Sequence, residues 1–186
     1  MFKLIRLIAF ASILLTFSQP SFSEVHRPLF DGLDGQKHFL DEYIGKGKWV
    51  VVNIWATSCP YCRNELFDLS SFHDKHHNND AIVLGLTLDW PSFDFPDKVY
   101  LAKFAADYLI DYPLFIVNGD IAGEVVGQSI DMIPITFFFN PDGKLVYRLN
   151  GMVTEQALEK IIKNKNAPYS TGWAKNVPPI YKPKVE

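Results

Sequence analysis

The apolar residues of this chain fall into blocks that predict strands and helices in alternation. Continuous apolar stretches near residues 48–55, 81–88 and 133–139 have the length and composition of buried strands. A long helix is predicted from Pro60 to about His76, and a final helix from Thr154 onward. Apolar side chains at helical spacing predict a third, amphipathic helix, formed by Val99, Leu101, Phe104, Ala105, Tyr108 and Leu109. The final helix has Leu158, Ile161 and Ile162 on one face.

Glycine, proline and aspartate mark the turns between these blocks. Residues 30–36 predict a tight hairpin, and residues 140–143 a turn that leads the third strand into an antiparallel partner at 144–149. The order β-α-β-α-β-β-α predicts an α/β fold with a central mixed sheet flanked by helices. Shorter elements are expected at residues 38–44, 112–115 and 121–126.

The two ends of the chain differ in composition from the middle. Residues 1–23 resemble an export signal, because Lys3 and Arg6 precede an apolar core and small residues precede Glu24. The apolar core is shorter than the roughly 20 residues of a spanning helix, which favours cleavage and a periplasmic or otherwise exported protein over an uncleaved membrane anchor. Residues 24–166 form the predicted domain, and residues 167–186 a proline-containing tail without an apolar period.

Composition limits the classes of function. The chain has 186 residues, 48% of them hydrophobic, and a formal charge of −3 without basic clusters, which argues against nucleic-acid binding. Two cysteines cannot form a multi-bridge scaffold or a four-thiolate zinc site. The histidines of His73-x-x-His76-His77 could suggest a metal, but a solvated helix face is the commoner arrangement, and we expect no metal.

The two cysteines, Cys59 and Cys62, stand three positions apart between a predicted strand and a predicted helix. This arrangement is typical of thiol–disulfide redox sites. Cys59 is expected at the N-cap, where free N–H groups and the helix dipole stabilise a thiolate, and Pro60 suits the first helical position. Cys59 is therefore the predicted exposed nucleophile and Cys62 the buried resolving thiol. A static disulfide is the alternative, although so short a loop adds little stability.

Two stretches, residues 51–65 and 133–143, carry a resemblance to a known family. With the order of elements, they are similar to thioredoxin-like proteins, and in particular to exported TlpA/ResA-type thiol–disulfide oxidoreductases, over about residues 28–163. The resemblance implies disulfide exchange with protein substrates, no cofactor beyond the Cys59–Cys62 pair, and a membrane protein as electron donor or oxidant. It favours a monomeric reductase, for example in cytochrome c maturation. A disulfide-forming oxidase or isomerase is the alternative, and a copper chaperone is a weaker one.

The resemblance also assigns residues that contact the substrate. In thioredoxin-like proteins the proline that matches Pro134 follows a cis peptide bond and lies against the redox pair. The backbone of Ile133 would pair with an extended substrate chain. Trp55, Pro60 and Tyr61 complete the predicted contact set. From composition alone, Pro134 could simply begin an edge strand.

Glu65 is the predicted acid or base of the site. TlpA/ResA-like proteins also place a glutamate three residues after the second cysteine, and burial would raise its pKa. A surface glutamate in the first turns of the helix is the alternative. Thioredoxin has a titratable aspartate where this chain has Asn53, and Ser58 stands where many relatives have tryptophan.

Overall fold

The computed structural model describes residues 28–88 and 98–164. The predicted signal segment and the predicted tail lie outside these residues. The described chain contains seven strands and four helices. In chain order these are β1 (Leu29–Gly32), β2 (Lys37–Phe39), β3 (Trp49–Trp55), α1 (Pro60–His76), β4 (Ala81–Thr87), α2 (Lys98–Asp107), β5 (Leu114–Ile116), α3 (Gly119–Val126), β6 (Ile135–Phe139), β7 (Leu145–Asn150) and α4 (Glu155–Lys163).

The strands form one mixed sheet in the order β2-β1-β5-β4-β3-β6-β7. Strands β3, β4 and β5 run parallel, while β6 runs antiparallel to β3 and forms a hairpin with β7. The hairpin of β1 and β2 joins the far edge through an antiparallel pairing with β5. The predicted fold class, a central mixed sheet flanked by helices, is confirmed.

Alternation along the central strands places a core on each face of the sheet. On one face, Val51 and Trp55 of β3 pack with apolar residues of α1, α2 and α4. On the other face, Val50, Val52 and Ile54 pack with α3 and with residues that follow β2. Strand β3 is therefore buried on both faces, which explains why all its residues except Asn53 are apolar.

Two sequence predictions about element ends are wrong. Helix α2 ends at Asp107, so Leu109 lies beyond it with a left-handed φ of 55°. Leu109 and Val99 are each 74% exposed and do not belong to the apolar face predicted for this helix. Strand β6 begins at Ile135 instead of Ile133, because Pro134 has no N–H to donate to a sheet ladder.

The histidines near the end of α1 are less solvated than predicted. His73 is buried, and its Nδ1 accepts the backbone N–H of Val83 at 3.1 Å. His76 hydrogen-bonds to Asp80 and Glu159. Within residues 28–88 and 98–164, no group of three or more His, Cys, Asp or Glu residues is placed to hold a metal ion. The same residues include no helix with the length and apolar character needed to cross a membrane.

Candidate active site

The redox pair lies where β3 passes into α1. Cys59 is the N-cap of the helix, in an extended conformation, and its sulfur accepts the backbone N–H of Cys62 at 3.2 Å. Pro60 occupies the first helical position, where no N–H is needed. Cys59 and Cys62 form a disulfide, with their Cα atoms 5.3 Å apart. The N-terminus of α1 thus directs an N–H group at the sulfur that has to become an anion on reduction.

The two cysteines differ in exposure. Cys62 is completely buried, packed in the core on the α1 face of the sheet, whereas Cys59 is half-buried. Of the two cysteines, only Cys59 is therefore accessible from solvent. This difference is the one that the assigned roles require, with Cys59 as nucleophile and Cys62 as resolving thiol.

Glu65 lies one helical turn beyond Cys62 and is only 1% exposed. Its Oε1 accepts the side-chain N–H of Asn53 at 2.8 Å, and its Oε2 accepts the backbone N–H of Val153 at 2.7 Å. Burial raises the pKa of Glu65 to about 7, against the two hydrogen bonds, while the nearby Asp68 carboxylate raises it further. The alternative of a surface glutamate is therefore wrong, and the acid or base role stays a prediction.

Asn53 holds Glu65 over the sheet. In the strand register Asn53 lies beside Thr136 of β6, and its side-chain N–H groups donate to Glu65 and to Thr136 Oγ1, the latter at 3.1 Å. Sequence reasoning identified Asn53 only as a residue that cannot titrate, and it missed Thr136. The sequence signal that could have identified Thr136 as a site residue is its position two residues after Pro134. The N–H of Val153 has no sequence signal, since any residue except proline supplies one.

The peptide bond between Ile133 and Pro134 is cis, as predicted. Pro134 is buried, and its carbonyl oxygen accepts the N–H of Gly151 at 2.9 Å. Ile133 is partly buried and packs against the same core as Cys59 and Cys62. The structure thus brings the start of β6 to the redox side of the domain, and the pairing of Ile133 with a substrate stays a prediction.

Trp55 does not have the predicted position for a substrate contact. Its side chain is completely buried, and its indole packs against the ring of Phe104 with centroids 5.6 Å apart. Trp55 is the last residue of β3, and its side chain lies in the core on the α1 face of the sheet. Pro60 and Tyr61 are exposed, Tyr61 by 65%, and their contact with substrate stays a prediction.

Comparison with known proteins identifies the family of this chain. Residues 19–148 match the AhpC/TSA family. The chain belongs to the AhpC/TSA family. Among curated relatives of this AhpC/TSA protein, the thiol-disulfide oxidoreductase ResA of Bacillus thuringiensis is 26% identical over 132 residues, which cover 70% of each chain.

Solved structures share the fold of this AhpC/TSA protein. StoA from Bacillus subtilis superposes with a TM-score of 0.55 at 22% identity, over 71% of this chain and 92% of StoA. A secreted thiol-disulfide isomerase from Corynebacterium glutamicum has a TM-score of 0.63 at 20% identity, over 74% of this chain and 81% of its own. The resemblance to ResA-type proteins is confirmed, and so is the predicted enzyme class, a thioredoxin-like disulfide oxidoreductase.

Proposed function

We propose that this protein is an exported reductase that transfers electrons from the Cys59–Cys62 dithiol to disulfides of other proteins. The observation that carries the proposal is the buried carboxyl group of Glu65 beside the buried Cys62. The relatives named thiol-disulfide oxidoreductases support dithiol exchange with protein substrates. The reducing direction rests on the electrostatics of the site.

The reaction proceeds in two exchanges. The Cys59 thiolate attacks one sulfur of the substrate disulfide, and the other substrate sulfur leaves with the electron pair of the broken bond. Cys62 then transfers its proton to Glu65 and attacks the sulfur of Cys59, which expels the second substrate sulfur as a thiolate. The products are a reduced substrate and the Cys59–Cys62 disulfide, the form that the structure holds.

Charge at the site favours the reducing direction. A strong disulfide oxidant is one whose reduced form is stabilised, chiefly as a thiolate. Here the N-terminus of α1 stabilises a thiolate on Cys59, but an ionised Glu65 opposes negative charge at Cys62 in a region of low dielectric constant. The reduced form is therefore less stabilised than in an oxidant, and the dithiol gives up its electrons more readily.

Export supplies the biological setting. The predicted signal segment supports a periplasmic or otherwise extracytoplasmic location, where a dithiol needs a dedicated donor to stay reduced. A membrane protein is the donor that we propose. Apocytochromes in cytochrome c maturation are a suitable substrate class, because their haem-binding cysteines must be reduced before haem attachment.

The reduction potential of the Cys59–Cys62 pair tests the direction. We expect a value near about −270 mV, the thioredoxin range, when the full chain is equilibrated with glutathione or dithiothreitol buffers. A value near about −120 mV, that of a strong oxidant, contradicts the reductase and supports the oxidase or isomerase alternative. A copper titration of the reduced protein tests the alternative that the protein is a copper chaperone. Tight stoichiometric binding of copper would favour that alternative.

A further inference from the structure

The segment that connects α3 to β6 contains the cis peptide bond of the site. This connecting segment, residues 127–134, begins with Gly127, whose left-handed φ of 65° ends the helix. The N–H of Gln128 donates to the carbonyl oxygen of Gly123 at 3.0 Å. A Cβ atom on Gly123 would lie only 2.9 Å from the carbonyl oxygen of Gln128. The absence of a side chain at Gly123 therefore allows the connecting segment to begin close against α3.

Arg148 of β7 binds the connecting segment at two residues. Its Nη1 donates to Oε1 of Gln128 at 2.9 Å, and its Nη2 donates to Oδ1 of Asp131 at 2.8 Å. Its Nε donates to Oδ1 of Asn150 at 3.0 Å, two residues along the same strand. Each of the three guanidinium nitrogens therefore binds a different side chain, a planar arrangement that the ammonium group of lysine does not reproduce.

The sheet fixes the position of Arg148. In the strand register Arg148 lies beside Phe137 of β6, and its Cζ is 5.7 Å from the centroid of the Phe137 ring. Phe137 is completely buried on the α3 face of the sheet, and the side chain of Arg148 is only 17% exposed. The side chain of Asp131, in contrast, is 68% exposed. The ion pair between Arg148 and Asp131 therefore attaches an exposed part of the connecting segment to a side chain that packs on the core.

Ile133 follows Asp131 by two residues and lies on the redox side of the domain. Its side chain packs against the core that also contacts Cys59 and includes Cys62. The ladder of β6 begins only at Ile135, and no other residue of the described chain hydrogen-bonds to the backbone N–H or carbonyl oxygen of Ile133. Backbone groups that are not used within a sheet are those with which a protein binds an extended peptide. Ile133 therefore offers such groups near Cys59.

We propose that Arg148 is a positioning residue, which holds the connecting segment so that the backbone of Ile133 is presented to an extended substrate chain beside Cys59. The inference rests on the proposed function, since it requires a polypeptide that carries the disulfide. Arg148 lies on the α3 face of the sheet, whereas Cys62 lies on the α1 face. Arg148 therefore acts through the connecting segment and not on the sulfur atoms, and a disulfide without a peptide chain does not depend on it.

Two disulfide reagents with the same leaving group separate this role from the reactivity of Cys59. One is the mixed disulfide of thionitrobenzoate with N-acetylcysteinamide, which has no flanking residues. In the other, the cysteine stands at the centre of a short neutral peptide. The Cys59 thiolate of the reduced full-length protein attacks the cysteine sulfur of either reagent and expels the coloured thionitrobenzoate, the thiol of lower pKa. The ratio of the two second-order rate constants, peptide reagent over N-acetylcysteinamide reagent, measures recognition of the peptide chain.

Arg148→Met removes the three donors and keeps an unbranched apolar side chain over Phe137. Gln128 is half-buried, and Asp131 and Asn150 are exposed, so water can replace the lost donors and the fold should persist. We expect the ratio of rate constants to fall by about tenfold in this variant, because a small displacement of a group that orients the substrate has a large effect on rate. The rate constant for the N-acetylcysteinamide reagent should not change.

Lys144→Met is the matched control, since it also replaces a cation by methionine. Lys144 is exposed in the turn at the opposite end of the hairpin of β6 and β7, where its backbone bonds to Asn140. We expect the wild-type ratio in this variant. Asp131→Ala should lower the ratio by itself but have no further effect in the Arg148→Met background, because both variants remove the same contact. Additive effects would show that the two side chains act separately on the peptide and would overturn the positioning role.

Backbone order parameters from NMR relaxation measure the rigidity of the connecting segment itself. We expect the amides of residues 129–133 to have values near about 0.85 in the wild-type protein, as in rigid backbone. Arg148→Met should lower these values toward about 0.6, whereas Lys144→Met should leave them unchanged. Order parameters that stay high in Arg148→Met would overturn the positioning role.

The rate measurements distinguish failure of this inference from failure of the proposed function. If the reduced wild-type protein reacts with neither reagent, dithiol exchange itself fails. If the wild-type protein prefers the peptide reagent and Arg148→Met keeps that preference, the positioning role is wrong and the proposed function stands. Equal wild-type rate constants for the two reagents also overturn the positioning role, because the peptide chain is then not recognised, while dithiol exchange stands.

Discussion

At Glu65, burial and hydrogen bonding act in opposite directions on one carboxyl group. Burial disfavours the charged form, whereas the donors from Asn53 and Val153 favour it. Burial prevails, and the pKa of Glu65 rises to about 7. A carboxyl group that titrates near neutrality can both accept and return a proton at the pH where the protein works.

Replacement of Glu65 by glutamine should remove a pH dependence from the stability of the fold. The pKa of Glu65 is raised from 4.5 to about 7 on folding, so ionisation costs stability once the pH exceeds the unfolded value. The cost is absent below about pH 4.5, grows through pH 7 and reaches about 3 kcal/mol above it. Relative to wild type, Glu65→Gln should therefore gain stability by about that amount between pH 4.5 and 8.5, measured by urea unfolding.

Glu159→Gln provides a control of opposite sign. Hydrogen bonds from His76 and Lys163 lower the pKa of Glu159, so its contribution is present above the unfolded pKa and is lost as the pH falls. Glu159→Gln should lose stability relative to wild type as the pH rises toward the unfolded pKa of 4.5, because the wild-type carboxylate is already ionised below that value in the folded protein. If the difference between Glu65→Gln and wild type does not change with pH, the raised pKa of Glu65 is wrong.

At the scale of elements, the sequence predicted the helix ends that are determined by residues adjacent to them in the chain. Helix α1 begins at Pro60 and ends at His76 as expected, since Cys59 and Pro60 define its start. Helix α4 begins after Thr154, whose hydroxyl accepts the N–H of Ala157. The end of α2 was not predicted, because Leu109 continues the helical spacing of apolar residues although the helix ends at Asp107.

The candidate site could be predicted only in part for a similar reason. The cysteines share one turn of helix, and the resemblance supplied Pro134 and Glu65. The partner Thr136 lies 83 positions from Asn53, and Val153 lies 88 positions from Glu65. Such contacts depend on strand register and on how the segment before α4 crosses α1, which no local pattern encodes. The same register buries Trp55, which the sequence analysis assigned to the substrate contact set.

Gly85 lies where β4 passes between Trp55 and Tyr112, and its substitution should destabilise the sheet. A Cβ atom there would lie 2.5 Å from Cδ2 of Leu114 as well as close to the two rings. We expect Gly85→Ala to lower the free energy of unfolding by about 1–3 kcal/mol, the usual cost of overpacking a core. Urea unfolding at neutral pH measures the change.

Gly119→Ala is the matched control for this substitution. Gly119 begins α3, and a Cβ atom there would meet no atom within 4 Å. Alanine should be neutral or stabilise the protein by about 0.4–1 kcal/mol, because it restricts the unfolded chain. Equal effects of the two substitutions would show that the close approach above Gly85 carries no energetic consequence.

At the scale of the whole molecule, polar contacts attach α4 to α1. The N–H of Glu155 donates to Asp68, and the side chain of Glu155 binds Ser71 and Lys75. With the bond from Val153 to Glu65 and the contact of His76 with Glu159, these groups form a titratable seam along α1. The protonation of these groups therefore affects both the redox site and the attachment of α4 to α1.

This seam, together with His38 beside Asp34 and Glu42, should make the protein less stable in mildly alkaline solution. Burial alone would lower the pKa of His76 and of His38, but hydrogen bonds to carboxylates outweigh it and raise both. Like Glu65, these groups bind protons more tightly when folded, so their contributions are lost as the pH rises through the folded pKa. His73 has the opposite shift, and its contribution is complete above its unfolded pKa of 6.5. The free energy of unfolding should therefore fall between about pH 6.5 and 8.5. Urea titrations across this range measure the fall, which should be smaller in a protein carrying Glu65→Gln and His76→Gln together. A stability that rises with pH in this window would contradict the assigned direction of the shifts.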